Sequence, residues 1–133
     1  MKQTILSGLF LLMFMLVGLL NFGTVEASPT IVDFEIEIEL KDGTEYEIEY
    51  AMKSSKIQAK YVVPREVALF GEEALPKVEA FFQKVNVIPD ANKEKLIAEA
   101  LRAFGIDVKD VDEFELDVIF DGDKKLTIQK KFS

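Results

Sequence analysis

Apolar and acidic residues alternate strictly over residues 33–40, and they alternate again after an Asp42-Gly43 pair. A period of two indicates a strand with one buried face and one solvent face. Because a short turn joins the two alternating segments, we predict a β-hairpin that continues to Tyr50. The outer face of this hairpin carries six glutamates, which are Glu35, Glu37, Glu39, Glu45, Glu47 and Glu49.

The length of the turn decides which residues face one another across this hairpin. A two-residue loop would pair Leu40 with Glu45 and would set apolar residues opposite acids. A three-residue loop that ends in a left-handed Gly43 pairs Ile38 with Tyr46 instead, so apolar residues meet apolar residues. We therefore predict the longer loop. The acidic pairs that result are Glu37 with Glu47, Glu35 with Glu49, and Glu39 with Glu45.

Helical spacing replaces alternation in the middle of the chain, after a third alternating segment at residues 56–63. The first helix is expected to start near Pro76, after an irregular or 3₁₀ entry, and to end in a left-handed cap at Asn86. A second helix is expected to run from an N-cap at Asp90 or Asn92 to a stop at Gly105. The apolar positions of the two helices are Leu75, Val78, Phe82 and Val85, then Leu96, Ile97, Ala100, Leu101 and Phe104.

Alternation returns near the C-terminus, on both sides of an Asp121-Gly122-Asp123 turn. The parity argument again requires a loop with an odd number of residues. The predicted order is therefore β-β-β-α-α-β-β, a two-layer α+β domain over residues 28–133. Its sheet is expected to have five strands, to be largely antiparallel, and to carry both helices on one face. Three tyrosines are assigned to the core face, which are Tyr46, Tyr50 and Tyr61.

The first 27 residues have the pattern of a signal peptide. Lys2 precedes an apolar run over residues 5–20, and Val25 and Ala27 are the small residues expected before a cleavage site after Ala27. The alternative is an uncleaved anchor over residues 5–22, because the run approaches the roughly 20 residues that span a bilayer. Either outcome makes the domain secreted or extracytoplasmic, with membrane contact through this segment alone.

The composition of the chain excludes most kinds of catalytic site. The 133 residues contain no Cys, His or Trp, which excludes thiol and histidine nucleophiles and the zinc sites that depend on them. The net charge of −8 has the wrong sign for nucleic acid. A pair of carboxylates of the glycosidase type remains, but an exposed strand face lacks the cleft that would desolvate one of them. We expect no enzymatic activity and no cofactor.

Three explanations are open for the six glutamates, since like charges opposed across strands are destabilising. The first is neutralisation by lysines on the same face, which predicts the third strand beside the second and the last strand beside the first. The second is a cationic peptide, protein or polyamine. The third is a divalent cation, with Ca²⁺ favoured by the oxygen ligands. The lysines are Lys56, Lys60, Lys125 and Lys131, and further Ca²⁺ candidates are Asp107, Asp110, Asp112 and Glu113, and the turn at Asp121 and Asp123.

Several segments together resemble the YusW-like family. They are Gly71-Glu-Glu-Ala-Leu75, Leu96-Ile-Ala-Glu-Ala-Leu-Arg-Ala-Phe-Gly105 and Phe114-Glu-Leu-Asp-Val118, with the first hairpin upstream. The resemblance implies a small exported protein of Gram-positive bacteria, and it implies no activity. The chain departs from the family in Pro76 and in having no Cys for a lipid anchor. The order helix, Gly105, Asp-rich link and hairpin is also similar to a PepSY unit, which implies restraint of a secreted peptidase.

The sequence therefore predicts an exported, non-enzymatic binding or envelope-associated module with an acidic sheet face. The alternatives are a PepSY-like inhibitor or regulator of a secreted peptidase and a weak Ca²⁺-binding surface protein.

Overall fold

The computed structural model describes residues 29–132, and the predicted signal peptide or anchor lies outside them. Within this range, neither helix is long and apolar enough to cross a membrane. The described chain forms an α+β fold with two helices and six strands. The strands are β1 (Ile31–Leu40), β2 (Glu45–Lys53), β3 (Lys56–Val62), β4 (Leu69–Phe70), β5 (Val111–Phe120) and β6 (Lys125–Lys131), and the helices are α1 (Leu75–Lys84) and α2 (Lys93–Phe104).

The strands form one sheet in the order β4-β3-β2-β1-β5-β6, and every neighbouring pair is antiparallel. The prediction of five strands is wrong, because β4 pairs Leu69 with Tyr61 and Phe70 with Lys60 at the edge of the sheet. Two residues are too few to produce an alternating pattern. The third strand does lie beside the second, as predicted.

The predicted place of the last strand is wrong, because β5 and not β6 lies beside β1. Ten-residue β5 pairs with ten-residue β1 so that Phe114 faces Ile38 and Leu116 faces Ile36. This arrangement places the long apolar row of each strand in the centre of the sheet, where burial is most complete. The shorter β6 is left at the edge.

Both hairpin registers are confirmed. Across the first hairpin Ile38 faces Tyr46, and Gly43 ends the three-residue loop with φ +90°. The Leu40 N–H donates to the Thr44 carbonyl at 2.8 Å and closes this loop. The second hairpin also has three residues in its loop, because the Phe120 N–H donates to the Lys124 carbonyl at 2.8 Å.

The first helix begins as predicted and ends differently. A 3₁₀ turn over Gly71–Ala74 leads into α1, and Pro76 lies in its first turn, where the missing N–H costs no hydrogen bond. The predicted left-handed cap at Asn86 is wrong. Val85 ends α1 in an extended conformation with φ −124°, which takes its side chain directly into the core. The Asn86 N–H donates to Glu99 Oε1 at 3.1 Å.

The second helix has the predicted ends. Of the two predicted N-caps, Asn92 is correct, and its Oδ1 accepts from the Lys95 N–H at 2.9 Å. Gly105 ends the helix with φ +72°, the left-handed conformation that favours glycine. The four apolar residues Leu96, Ile97, Ala100 and Leu101 are buried.

The core lies between the two helices and one face of the sheet. The Phe34 ring of β1 packs on Phe81 and Phe82 of α1, with centroids 5.8 and 4.9 Å away. The Tyr46 ring of β2 packs on Phe104 of α2 at 5.1 Å. All three tyrosines pack against this core, as predicted. Because both helices cover the apolar face, the opposite face of the sheet stays open.

Candidate functional site

The open face of the sheet collects carboxylates from three adjacent strands. Because side chains alternate along a strand, every second residue of β1, β2 and β5 points to this face. The six glutamates of the first hairpin all lie here, as predicted. We call the whole set the acidic face: Asp33, Glu35, Glu37 and Glu39 of β1, Glu45, Glu47 and Glu49 of β2, and Glu113, Glu115 and Asp117 of β5.

Three glutamates of β1 have an acid on each side. Their neighbours in β2 and β5 are at the positions directly opposite. The three rows are Glu45-Glu39-Glu113, Glu47-Glu37-Glu115 and Glu49-Glu35-Asp117. Directly opposed like charges each cost up to about 1 kcal/mol. The acids are therefore concentrated at the centre of the sheet rather than distributed over it.

The residues of β5 were missed as site residues by the sequence prediction. Glu115 and Asp117 alternate with apolar residues, and the sequence pattern gave no reason to assign them to a site, whereas Glu113 was a Ca²⁺ candidate together with Asp107, Asp110 and Asp112. Their side chains join the acidic face because β5 lies beside β1. The alternation was visible in the sequence, but the strand order was not.

Neutralisation by lysines of the sheet is confirmed for Lys60 alone. Its Nζ lies 3.1 Å from Glu47 Oε1 and 4.0 Å from Glu49 Oε2. Lys131 contacts Asp112 at 3.8 Å, and that carboxylate lies outside the acidic face. Over residues 29–132, no other ammonium group lies within 4.0 Å of the acidic face. The prediction that Lys56, Lys125 and Lys131 also pair with the six glutamates is therefore wrong, although Lys131 lies opposite Glu113 of β5 and its charge opposes the rise in the pKa of Glu113.

The crowding changes how readily these carboxyl groups ionise. Burial, with the charges of Glu47 and Asp117 next in importance, raises the pKa of Glu35 above its ordinary value. Burial, with the charges of Glu47 and Glu45 next, raises the pKa of Glu37. A hydrogen bond with Glu115 is the main cause of the raised pKa of Glu113. These three carboxyl groups therefore ionise less readily than a glutamate in water.

One group of three acids comes close together in the described part of the chain. Carboxylate oxygens of Glu35, Glu47 and Glu49 lie within 4.8 Å of one another. The ammonium of Lys60 contacts two of the three, so this group already holds a cation that belongs to the chain. We assign no metal to it.

The other Ca²⁺ candidates are not brought together. Asp107 accepts from the Lys109 N–H at 3.1 Å, Asp112 pairs with Lys131, and Glu113 lies on the acidic face. In the second loop, Asp121 accepts from the Thr30 N–H at 3.2 Å, which fixes a turn. The loop therefore has a structural role, and Asp123 adopts a left-handed φ of +65° within it.

Comparison with protein families identifies the chain. A family model described as YusW-like protein matches residues 32–122. The chain belongs to the YusW-like family. The matched part of this YusW-like domain runs from β1 to the loop after β5, so it includes all ten carboxylates of the acidic face. No curated protein and no solved structure matches the chain.

The acidic face of this YusW-like domain contains two shallow depressions. One, of about 130 Å³, is lined only by the acids Glu37, Glu39, Glu45, Glu113 and Glu115. The other, of about 390 Å³, is bordered by Glu35 and Glu49 but also by Lys53 and Lys60, and Phe70 lies at its edge with 58% of its surface exposed. The first depression, with acids alone, therefore suits the ammonium or guanidinium group of a basic side chain better than the second.

Proposed function

We propose that this YusW-like domain is an exported, non-enzymatic binding module whose acidic face takes up a cationic peptide or protein. The observation that carries the proposal is the central block of acids, in which each of Glu35, Glu37 and Glu39 has an acid on both sides. A cationic ligand would replace repulsion between carboxylates with attraction. Complementary charge also accelerates encounter and selects the partner.

Lys60 supports the proposal, because it is a basic side chain that the face already binds. Its ammonium reaches across from β3 and contacts both Glu47 and Glu49. The hydrogen bond to Glu47 is the main cause of the raised pKa of Lys60, so the face favours the charged ammonium. The acids of β1 and β5 lie further from β3, and they are the positions that a ligand would occupy.

Two features of the sequence support the rest of the proposal. The pattern of residues 1–27 supports export. The absence of Cys and His from the sequence, together with the open arrangement of the carboxylates on a sheet face, supports a role in binding rather than catalysis. The two shallow depressions offer surface for side chains of a partner, with no deep cleft needed.

A peptide of ten lysines is the probe that tests the proposal, with a peptide of ten glutamates as its counterpart. Fluorescence anisotropy of the labelled peptides would measure binding to the full chain across a salt series. We expect the lysine peptide to bind and the glutamate peptide not to bind. Affinity should fall steeply with salt, because exposed charges are screened beyond about 10 Å at 0.1 M salt.

Matched double variants separate the acidic face from net charge. Glu37→Gln/Glu115→Gln removes two charges from the middle row, and Glu79→Gln/Asp90→Asn removes two exposed charges from the helical layer. The first variant should weaken binding of the lysine peptide several-fold more than the second. Equal loss in both variants would mean that net charge alone attracts the peptide, and the proposal would be wrong.

Three further measurements test Ca²⁺ binding, regulation of a secreted peptidase and export. If Ca²⁺ raises the unfolding temperature and displaces the lysine peptide at low concentration, the face is a metal site instead. A change in the rate of a secreted peptidase on addition of the domain would support the peptidase regulator. Fractionation of cells that express the full chain tests export, since the proposal requires the domain outside the cytoplasm.

A further inference from the structure

The acidic face places its most crowded carboxylates where few cations reach them. Glu37 has Glu45 and Glu47 of β2 on one side and Glu115 of β5 on the other. Glu35 is flanked in the same way by Glu49 and Asp117. Lys60 lies beyond β2, two strands away from β1. The glutamates of β1 are therefore repelled by the acids of both neighbouring strands, β2 and β5.

We propose that the acidic face is a proton-operated switch, in which mild acid neutralises the central glutamates, stabilises the fold and releases a cationic ligand. The first two effects depend on the face alone, and the release rests on the proposed function. The switch needs no moving segment. It consists of carboxylates that the fold partly buries and holds closer together than the unfolded chain does.

Every element that packs beside the central glutamates contributes to this balance. The acids are those of the three rows, with Asp33 at the end of β1. The bases on the same face are Lys53 at the end of β2, Lys56 and Lys60 of β3, and Lys125 and Lys131 of β6. Only Lys60 among them, within residues 29–132, contacts the face. Acids therefore outweigh bases around each central glutamate.

The direction of the pH effect follows from the raised pKa values. Glu35, Glu37 and Glu49 have pKa values in the fold above their ordinary value of 4.5, chiefly because of burial. The folded protein therefore binds more protons than the unfolded chain while the pH falls through these raised values. These three groups therefore contribute a rise in the free energy of unfolding as the pH falls from neutral toward the ordinary value.

The Asp42 carboxylate sets the lower limit of this gain. Hydrogen bonds from Thr44 lower the pKa of Asp42, so its contribution is present above its ordinary value of 3.8 and is lost as the pH falls through the lowered one. The stability of the domain should thus be greatest in mild acid and fall again in strong acid.

Thermal unfolding of the full chain without ligand, followed by circular dichroism across a pH series, tests the stability effect. We expect the Tm to rise by about 5 °C between neutral pH and mild acid, the size of shift that a small change in stability produces in a domain of this length. Glu35→Gln/Glu37→Gln should raise the Tm at neutral pH and reduce its dependence on pH. Glu79→Gln/Asp90→Asn, the matched control, should leave that dependence unchanged.

Two results would overturn the switch. One is a Tm that stays level or falls between neutral pH and mild acid. The other is an equal dependence on pH in the wild type and in Glu35→Gln/Glu37→Gln.

Binding of the lysine peptide at the same pH values tests release. We expect its affinity to fall about tenfold between neutral pH and mild acid, since protonation removes the opposite charge. If the peptide binds equally at both pH values while the Tm rises, the release step is wrong. If the peptide binds at neither pH while the Tm rises, the proposed function fails and the proton effect on the fold stands.

Discussion

The two hairpins of the sheet pack in the same way on the core face, but they differ in which side chains face one another on the open face. Both have three-residue loops, and both pair apolar residues on the core face, as in Ile36 with Ile48 and Leu116 with Ile128. On the open face, the β1–β2 hairpin pairs glutamate with glutamate. The β5–β6 hairpin pairs its acids with other residues, which are Lys131 for Glu113, Gln129 for Glu115 and Thr127 for Asp117.

This difference shows that the fold does not require acids to face acids. The β5–β6 hairpin has the same alternation, and its outer strand relieves the charge of β5 with a lysine and two neutral side chains. Gln129 even donates to Glu115 at 3.3 Å. Among residues 29–132, the β1–β2 hairpin has no such relief except Lys60 in the next strand. The fold therefore does not need these opposed acids, which supports the proposed role in binding.

The largest effect should come from the core, where the two hairpins are alike. Phe34 and Phe114 are 1% and 0% exposed. Phe34→Ala and Phe114→Ala should each lower the free energy of unfolding by about 3–5 kcal/mol, through lost burial and the cavity that remains. Chemical denaturation would measure both. A loss below about 1 kcal/mol in one of them would show that its hairpin contributes little to the shared core.

The loops should give the next largest effect. Gly43 and Gly122 have φ values of +90° and +79°, and a Cβ at either position would meet no atom within 4 Å. Gly43→Ala and Gly122→Ala should each cost about 1–2 kcal/mol, because a left-handed conformation is strained for alanine even in open space. Denaturant midpoints would compare them. An unchanged midpoint in either variant would mean that its loop has another accessible conformation.

The hairpin registers could be predicted from the sequence because they depend on local parity. Once the face of each side chain is known, a three-residue loop sets Ile38 opposite Tyr46 and a two-residue loop does not. The N-cap at Asn92 and the stop at Gly105 were also predictable, since each depends on the conformational preference of one residue. The Asn86 cap failed because burial of the neighbouring Val85 decided how α1 ends, and burial is a property of the whole fold.

The order of the strands could not be predicted in the same way. After the first three strands, the sheet has two open edges, at β1 and at β3, and both present apolar rows to a new strand. The sequence of β5 does not indicate which of these two edges it joins. For this reason the sequence identified the six glutamates of β1 and β2 but not the addition of Glu113, Glu115 and Asp117. The acidic face is therefore larger than its sequence pattern indicated.

Exchanging charge between the two hairpins should have a smaller effect, of opposite sign in each. Glu37→Lys places a base between Glu47 and Glu115 and should stabilise the domain by about 0.5–1 kcal/mol. Lys131→Glu creates an acid pair with Glu113 and should destabilise it by a similar amount. Denaturation at low and high salt would measure both, and salt should shrink both differences. Changes of the same sign would show that packing, not charge, governs these positions.

The smallest effect should come from Lys60, the link between the acidic face and the rest of the sheet. The Lys60 and Glu47 side chains are 32% and 21% exposed, so water screens the attraction between them. Lys60→Gln should cost only about 0.5 kcal/mol of stability at neutral pH.

The same change should strengthen binding of the lysine peptide, because Glu47 and Glu49 lose the cation that occupies them. Lys56→Gln removes an equal charge from the same strand without a contact to the acidic face, and it should alter binding less. If both variants bind the peptide equally well, Lys60 does not compete for the glutamates, and the β1–β2 hairpin presents its charge to solvent whether or not that lysine is present.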